Sequence, residues 1–294
     1  MEGTLIRDYI SGGTMAAATF VSILVNPCLI YYYKRFRTSW IHRYYYYLAI
    51  AHLCYAICKG VPFTCQLLNH DYPPENVQWL NELLSILTKV SSASVTTVVC
   101  VGVTVQHLNI CHPGWTVISG ASRSGKYAFY TILSFYLALS VPALIALILI
   151  FLCHFTDLPF EDPTNLYVAV TNLIFYIPTI IFTLVSVCLY LITRVKFLAL
   201  DPEEDQIEVT RREFMSVGVF VLFGLVHMAF IIIYFVLIFD KNITNHSTAI
   251  YFGINMELVA QRAIIACAIL FNEDAVRDYI LCRPRGGAVY EALN

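Results

Sequence analysis

Charge is what this sequence has least of. Asp, Glu, Lys and Arg make up only 13% of its 294 residues, against 59% hydrophobic, so no stretch is polar enough to fold as a separate water-soluble domain. Neither sign of charge dominates. With a net value of −2, nothing suggests nucleic-acid binding. Metal-site spacing is missing too: His52, His107, His112 and His227 are scattered, no HxxxH pair occurs, and the ten cysteines form no ligand pattern. A membrane enzyme built on clustered ligands or a nucleophile with its base therefore finds no support, and no catalytic residue, metal or cofactor is assigned. The first residues, MEGTLIRDYISGG, lack a basic stretch followed by an apolar core and a cleavage site. The first apolar run is thus expected to act as an uncleaved anchor.

What the chain does have is long apolar runs, with a mean hydropathy of +0.68. Seven can be marked off, at Gly13–Tyr33, Tyr46–Leu67, Leu80–Leu108, Ala128–Cys153, Tyr167–Ile192, Met215–Phe239 and Ala249–Phe271. Each is near the roughly 20 residues that cross about 30 Å of hydrocarbon. Only short segments join them. The expected fold class is an all-α membrane protein, a seven-transmembrane helix bundle forming one domain over 1–294.

The cations set its orientation. Lys34, Arg35, Arg37 and Arg43 follow the first run, Arg123 and Lys126 the third, Arg194, Lys196, Arg211 and Arg212 the fifth, and Arg277, Arg283 and Arg285 the seventh. The opposite side holds only Arg7 and Lys241, so the N-terminus is expected outside and the C-terminus in the cytoplasm. Two glycosylation sequons, NIT at Asn242 and NHS at Asn245, then fall outside. Cys65 and Cys153 lie near outer ends and form a disulfide candidate. Cys282, beyond a short amphipathic stretch at 272–282, is a palmitoylation candidate.

Several motifs occur in a telling order. LVNPCLIYYYKRFRT contains Asn26, LAIAHL holds His52, VQHLNICHP closes the third run, FYIPTIIF contains Pro178, and FNEDAVRDYIL follows the seventh. Together they resemble the rhodopsin-like G-protein-coupled receptors. LAIAHL is similar to the family's LAxAD, with His52 in the aspartate's place. VQHLNICHP is similar to DRYLAICHP, sharing Leu108, Ile110, Cys111, His112 and Pro113. FNEDAVRDYIL resembles the family's short cytoplasmic amphipathic helix. The departures are specific: Val105, Gln106 and His107 stand for DRY, FGLVHMAF has neither residue of CWxP and sets His227 near its tryptophan, and NPxxY is absent. Losses of this kind resemble the nematode-type serpentine chemoreceptors. An opsin is excluded, because the seventh run has no lysine for a retinal Schiff base.

The resemblance implies a plasma-membrane chemosensory receptor that binds a small molecule outside and activates a heterotrimeric G protein inside. Gln106, His107, Ile110 and Pro113 would meet the G protein. Two polar layers stand out within the runs. By a rise of about 1.5 Å per residue, Asn26, His52, His227 and Arg262 lie roughly 18–22 Å below the outer ends of their spans, forming a core layer or switch without a carboxylate for sodium. Lys59, Lys89 and Glu257 lie about 10–12 Å below the outer ends, and intramembrane charges default to functional sites. With Thr88, Ser92, Tyr234 and Asn255 they form the candidate ligand site, suited to a small polar or anionic molecule. A transporter or channel of unknown substrate is the alternative. Its sequence signs, a repeat or an interrupted helix, are not seen.

Overall fold

The computed structural model describes residues 2–35, 40–68, 78–112, 130–134, 136, 137, 145, 163–199, 204–239 and 263–269, with side chains described over narrower stretches that begin at 12, 83, 175 and 213 in the longer helices. All regular structure among them is helical. The chain runs through α1 (Glu2–Arg35), α2 (Trp40–Tyr55), a π-helical turn (Ala56–Gly60), α3 (Val61–Leu68), α4 (Gln78–Cys111), α5 (Pro163–Leu198) and α6 (Glu204–Phe239). Residues 130–134 and 263–269, within the fourth and seventh apolar runs, are helical as well.

Five segments are long and apolar enough to cross a membrane: Gly12–Arg35, Trp40–Cys65, Leu83–Cys111, Phe175–Leu198 and Glu213–Ile233. They coincide with the first, second, third, fifth and sixth runs. A backbone in hydrocarbon has no water to bond to, so it must satisfy its own polar groups, and a helix does so within one segment.

The second run starts earlier than the sequence suggests. Its helix begins at Trp40 rather than Tyr46, which moves Arg43 from a loop into α2, where it is buried with 7% exposure. Ile41, Tyr44 and Tyr45 are buried on the same turns, and the aromatic packing extends the helix past the point where hydropathy alone would end it.

The faces of α5 are reversed relative to a water-soluble helix. Ile177, Ile181, Leu184, Leu191, Ile192 and Val195 are exposed, whereas Thr179, Thr183, Ser186 and Thr193 are buried. Each of these hydroxyls donates to the carbonyl one turn back, as Thr183 does to Thr179 O at 2.8 Å and Ser186 to Phe182 O at 2.7 Å. Lipid tails are as apolar as leucine, so there is no hydrophobic gain in turning the large side chains inward, and small residues let helices approach closely. In α1 the buried Thr19, Ser22 and Asn26 oppose the exposed Phe20, Leu24 and Tyr31 in the same way.

Side-chain pairs fix the helix directions. Tyr33 lies 5.6 Å from Tyr45, and the Gly60 backbone presses on Thr19, so α1 and α2 are antiparallel. Gly102 abuts Tyr44 and Thr88 reaches Cys58 O, so α2 and α4 are antiparallel. His107 bonds Thr193, and further along the same pair of helices Thr96 and Thr183 line one cavity. Therefore α4 and α5 are parallel. Tyr190 stacks on Phe214 at 4.4 Å while Thr183 faces Gly224, so α6 runs back along α5.

Glycines serve this close packing unequally. At Gly224 an added Cβ would sit 3.5 Å from Thr183 Cγ2, an ordinary contact. Gly224→Ala is therefore expected to raise stability by up to about 0.8–1.0 kcal/mol, the helix-interior advantage of Ala over Gly. A lower thermal unfolding midpoint of the purified variant would show that α5 and α6 pack more tightly there.

Candidate functional site

The core layer starts from α1. Asn26 is fully buried, and its amide donates to Ser22 O at 2.9 Å and Ser22 Oγ at 2.8 Å. Its Oδ1 is buried without a hydrogen-bond partner. The antiparallel register of α1 and α2 puts it at about the height of His52. His52 from α2 and His227 from α6, both buried, line a single cavity of about 40 Å³ together with Ser92 and Thr96 of α4 and Thr183 and Ser186 of α5. Phe220, Val99 and Ile265 supply apolar wall. The structure thus brings together two histidines 175 positions apart. Arg262 lies outside the described residues.

No carboxylate lines this cavity among the described residues. Hard cations prefer carboxylate and carbonyl oxygens, so sodium has little to hold it. Exchanging sodium for a bulky organic cation at constant ionic strength is expected to leave the thermal unfolding midpoint unchanged. A sodium-dependent rise that His52→Ala removes would contradict this account.

The outer layer, with Lys59 seven residues beyond His52, sits about two turns nearer the other end of the bundle. Lys59 is on the π-helical turn and Lys89 on α4, both half-buried and close enough for their charges to act on each other. Thr88 Oγ1 shares its proton between Leu84 O at 2.7 Å and Cys58 O at 3.2 Å. It therefore ties α4 to the turn that carries Lys59. A π-helical turn widens the backbone and frees carbonyls, and such turns are frequent at functional sites. Ser92 lines the histidine cavity, which links the two layers through α4. Among the other candidates, Asn255, Glu257 and the side chain of Tyr234 lie outside the described residues.

The opposite end is closed by contacts among four helices. His107 Nδ1 and Thr193 Oγ1 are 2.9 Å apart, joining α4 to α5. Tyr45 OH is hydrogen-bonded to Ser216 Oγ, joining α2 to α6. Tyr44 meets Phe220 edge-on at 5.6 Å. Gln106, in the middle of this end, is 2% exposed, and both atoms of its amide lack a hydrogen-bond partner. Ile110 is half-buried. Pro113 is outside the described residues, as are Asn242, Asn245 and Cys282. Cys65 is a half-buried free thiol, and Cys153, its candidate disulfide partner, is also outside them.

Sequence reading passed over Arg43, Tyr45, Thr183, Ser186, Thr193 and Ser216. A signal existed for the α5 hydroxyls: Thr179, Thr183, Ser186 and Thr193 recur at three-, four- and seven-residue spacing on an otherwise apolar run, which marks one helix face. None existed for Tyr45 with Ser216, a contact between distant helices.

The fold and these buried polar layers define the class: the chain is a multi-pass helical membrane protein. No family model and no curated protein matches it.

Proposed function

We propose that the chain is a seven-span G-protein-coupled receptor of rhodopsin-like type, chemosensory, that binds a small polar or anionic molecule beside Lys59 and Lys89 and signals through a heterotrimeric G protein. The observation that carries this reading is the division of the bundle into two ends. One holds intramembrane lysines beside a π-helical turn. The other is closed by individually weak contacts, His107 with Thr193 and Tyr45 with Ser216, on the segment where the receptor-like VQHLNICHP motif falls. A ligand that binds one arrangement of the helices better than another shifts the population toward it. Moving α6 away from α2 would break Tyr45–Ser216 and Tyr44–Phe220 and open a cleft at Gln106 and His107.

Parallel α4 and α5 support the span count. A chain that leaves one end of a parallel pair and enters again at the other has to return between them, and Ala128–Cys153 is the apolar run available for that crossing. The cation distribution supports a cytoplasmic closed end and an N-terminus outside, and the receptor reading sets the chain in the plasma membrane.

Topology is tested by labelling. An epitope before Met1 is expected to be accessible on intact cells, and one after Asn294 only after permeabilisation; the reverse pattern would invert every site assignment. Function is tested by a screen of small polar and anionic compounds with G-protein dissociation as readout, in cells with confirmed surface expression. Ligand-dependent dissociation lost in Lys89→Gln is the expected result. Substrate flux in proteoliposomes, with no G-protein response to the same compound, would make the chain a transporter.

A further inference from the structure

The outer level of the bundle carries rings as well as charges. Met15 of α1 and Tyr55 of α2, each 1% exposed, form a small core of their own, and Phe63 of α3, Tyr176 of α5 and Phe230 of α6 pack against it. Rings from opposite sides of the bundle thus meet at its centre. Their height follows from the helix pairings: Thr96 lies level with Thr183, and Thr183 with Gly224, so two turns further out Lys89, Tyr176 and Phe230 share a level. The bond from Thr88 to Cys58 O sets Lys59 beside them. Phe63, Tyr176 and Phe230 face the centre yet are only half-buried, so a molecule entering from the outer end meets them.

Charge selects the head of such a molecule, and the rings select its body. Lys59 and Lys89 lie close enough for their charges to act on each other, so a cation is repelled by both and an anion attracted by both. Amines are excluded. A phosphate or sulfate, strongly hydrated and often doubly charged, gives up more hydration on entering a half-buried apolar level than a singly charged carboxylate does. A carboxylate also has two acceptor oxygens, one for each ammonium. We propose that the site beside Lys59 and Lys89 takes a monocarboxylate with a compact aromatic body, its head on the two ammonium groups and its ring against Phe63, Tyr176 and Phe230. This rests on the reading of that layer as the ligand site, and narrows the small polar or anionic molecule to one class. Ring-on-ring contacts add to the area they bury, so an aromatic acid is held more tightly than acetate.

The test uses the full chain purified in detergent, with benzoate as the probe at neutral pH. Benzoate is expected to raise the thermal unfolding midpoint, whereas benzylamine, benzyl alcohol and inorganic phosphate do not, and acetate acts only at higher concentration. In Lys59→Gln and in Lys89→Gln the half-saturating benzoate concentration should increase about tenfold or more, as for the loss of a charge-assisted hydrogen bond. Lys89→Arg should keep most of the affinity. Reductive methylation of the unaltered chain, read by mass spectrometry, reports on the same site even if a variant fails to fold: benzoate should protect Lys59 and Lys89 and leave Lys34 and Lys196, exposed at the opposite end, as reactive as before. No rise with benzoate, an unchanged half-saturating concentration in both glutamine variants, no protection of either lysine, or an equal rise with benzylamine would overturn the proposal. G-protein release is read separately. Benzoate that binds and protects both lysines without releasing a G protein overturns the receptor reading and leaves the acid site standing; release driven by an amine or a neutral compound, with no benzoate binding, keeps the receptor and overturns the acid site.

Discussion

Gly102→Leu is expected to remove most of the folded protein from the membrane. A Cβ at this position would lie 2.6 Å from Cδ2 and Cε2 of Tyr44 and 3.2 Å from Cζ, well inside van der Waals contact. The ring has nowhere to go. Tyr44 is fully buried and meets Tyr45 at 5.5 Å, Phe220 at 5.6 Å and Trp40 at 6.5 Å between ring centroids. A leucine must therefore push α4 away from α2 along the crossing that also sets the heights of Thr88 and Cys58. Overpacking of this kind costs about 1–3 kcal/mol and more where the walls are rigid, enough to shift a folding equilibrium about tenfold for each 1.4 kcal/mol. Surface expression and the thermal midpoint of the purified variant give the answer. Adding Tyr44→Ala should recover much of the loss, because it empties the space the leucine needs. Gly218→Ala is expected to be costly as well: its Cβ would meet the Tyr190 hydroxyl and lie 2.7 Å from Cζ, and that ring is stacked on Phe214 at 4.4 Å. Normal expression of Gly102→Leu would show that α2 and α4 do not pack as described.

Gln106→Leu is expected to do the opposite and stabilise the bundle. The Gln106 amide is 2% exposed, and neither its oxygen nor its nitrogen has a hydrogen-bond partner. Such a group carries its desolvation penalty of about 1–3 kcal/mol without return, and an apolar side chain of similar size avoids it. At about 2–4 °C for each kcal/mol in a larger domain, the unfolding midpoint should rise by several degrees. On the receptor reading proposed above, the same change should weaken signalling, because an unsatisfied polar group in a native structure calls for an explanation and that reading has the amide find its partners when this end of the bundle opens. Stabilising the closed form then lowers the open population by the same factor. A Gln106→Leu protein that melts lower than the unaltered chain would refute the buried-amide account. One that melts higher yet signals normally would keep that account and remove Gln106 from the G-protein surface.

Much of the architecture was legible without coordinates. Apolar length marked the first, second, third, fifth and sixth runs as helices, because a membrane demands about 20 apolar residues per crossing whatever their order. Counting rise per residue placed Asn26, His52 and His227 at one height, since every span begins near a common plane. That reasoning fails where packing overrides composition. Arg43 reads as a loop cation, yet α2 carries it into the interior because Ile41, Tyr44 and Tyr45 bury the same turns. Height also says nothing of rotation. That Ser92 lines one cavity with His52 and His227 is seen only in the structure.

By itself the sequence determined that this protein is helical, embedded in a membrane and crosses it several times, since those properties follow from the sum of local transfer energies along each run. Which side chains meet was decided only by the tertiary structure. Tyr45 with Ser216, His107 with Thr193, and His52 with His227 around one cavity depend on how each helix is rotated about its axis. That rotation is set by the fit of glycine against ring and hydroxyl against carbonyl between helices, a short-range steric property of pairs that no single run contains.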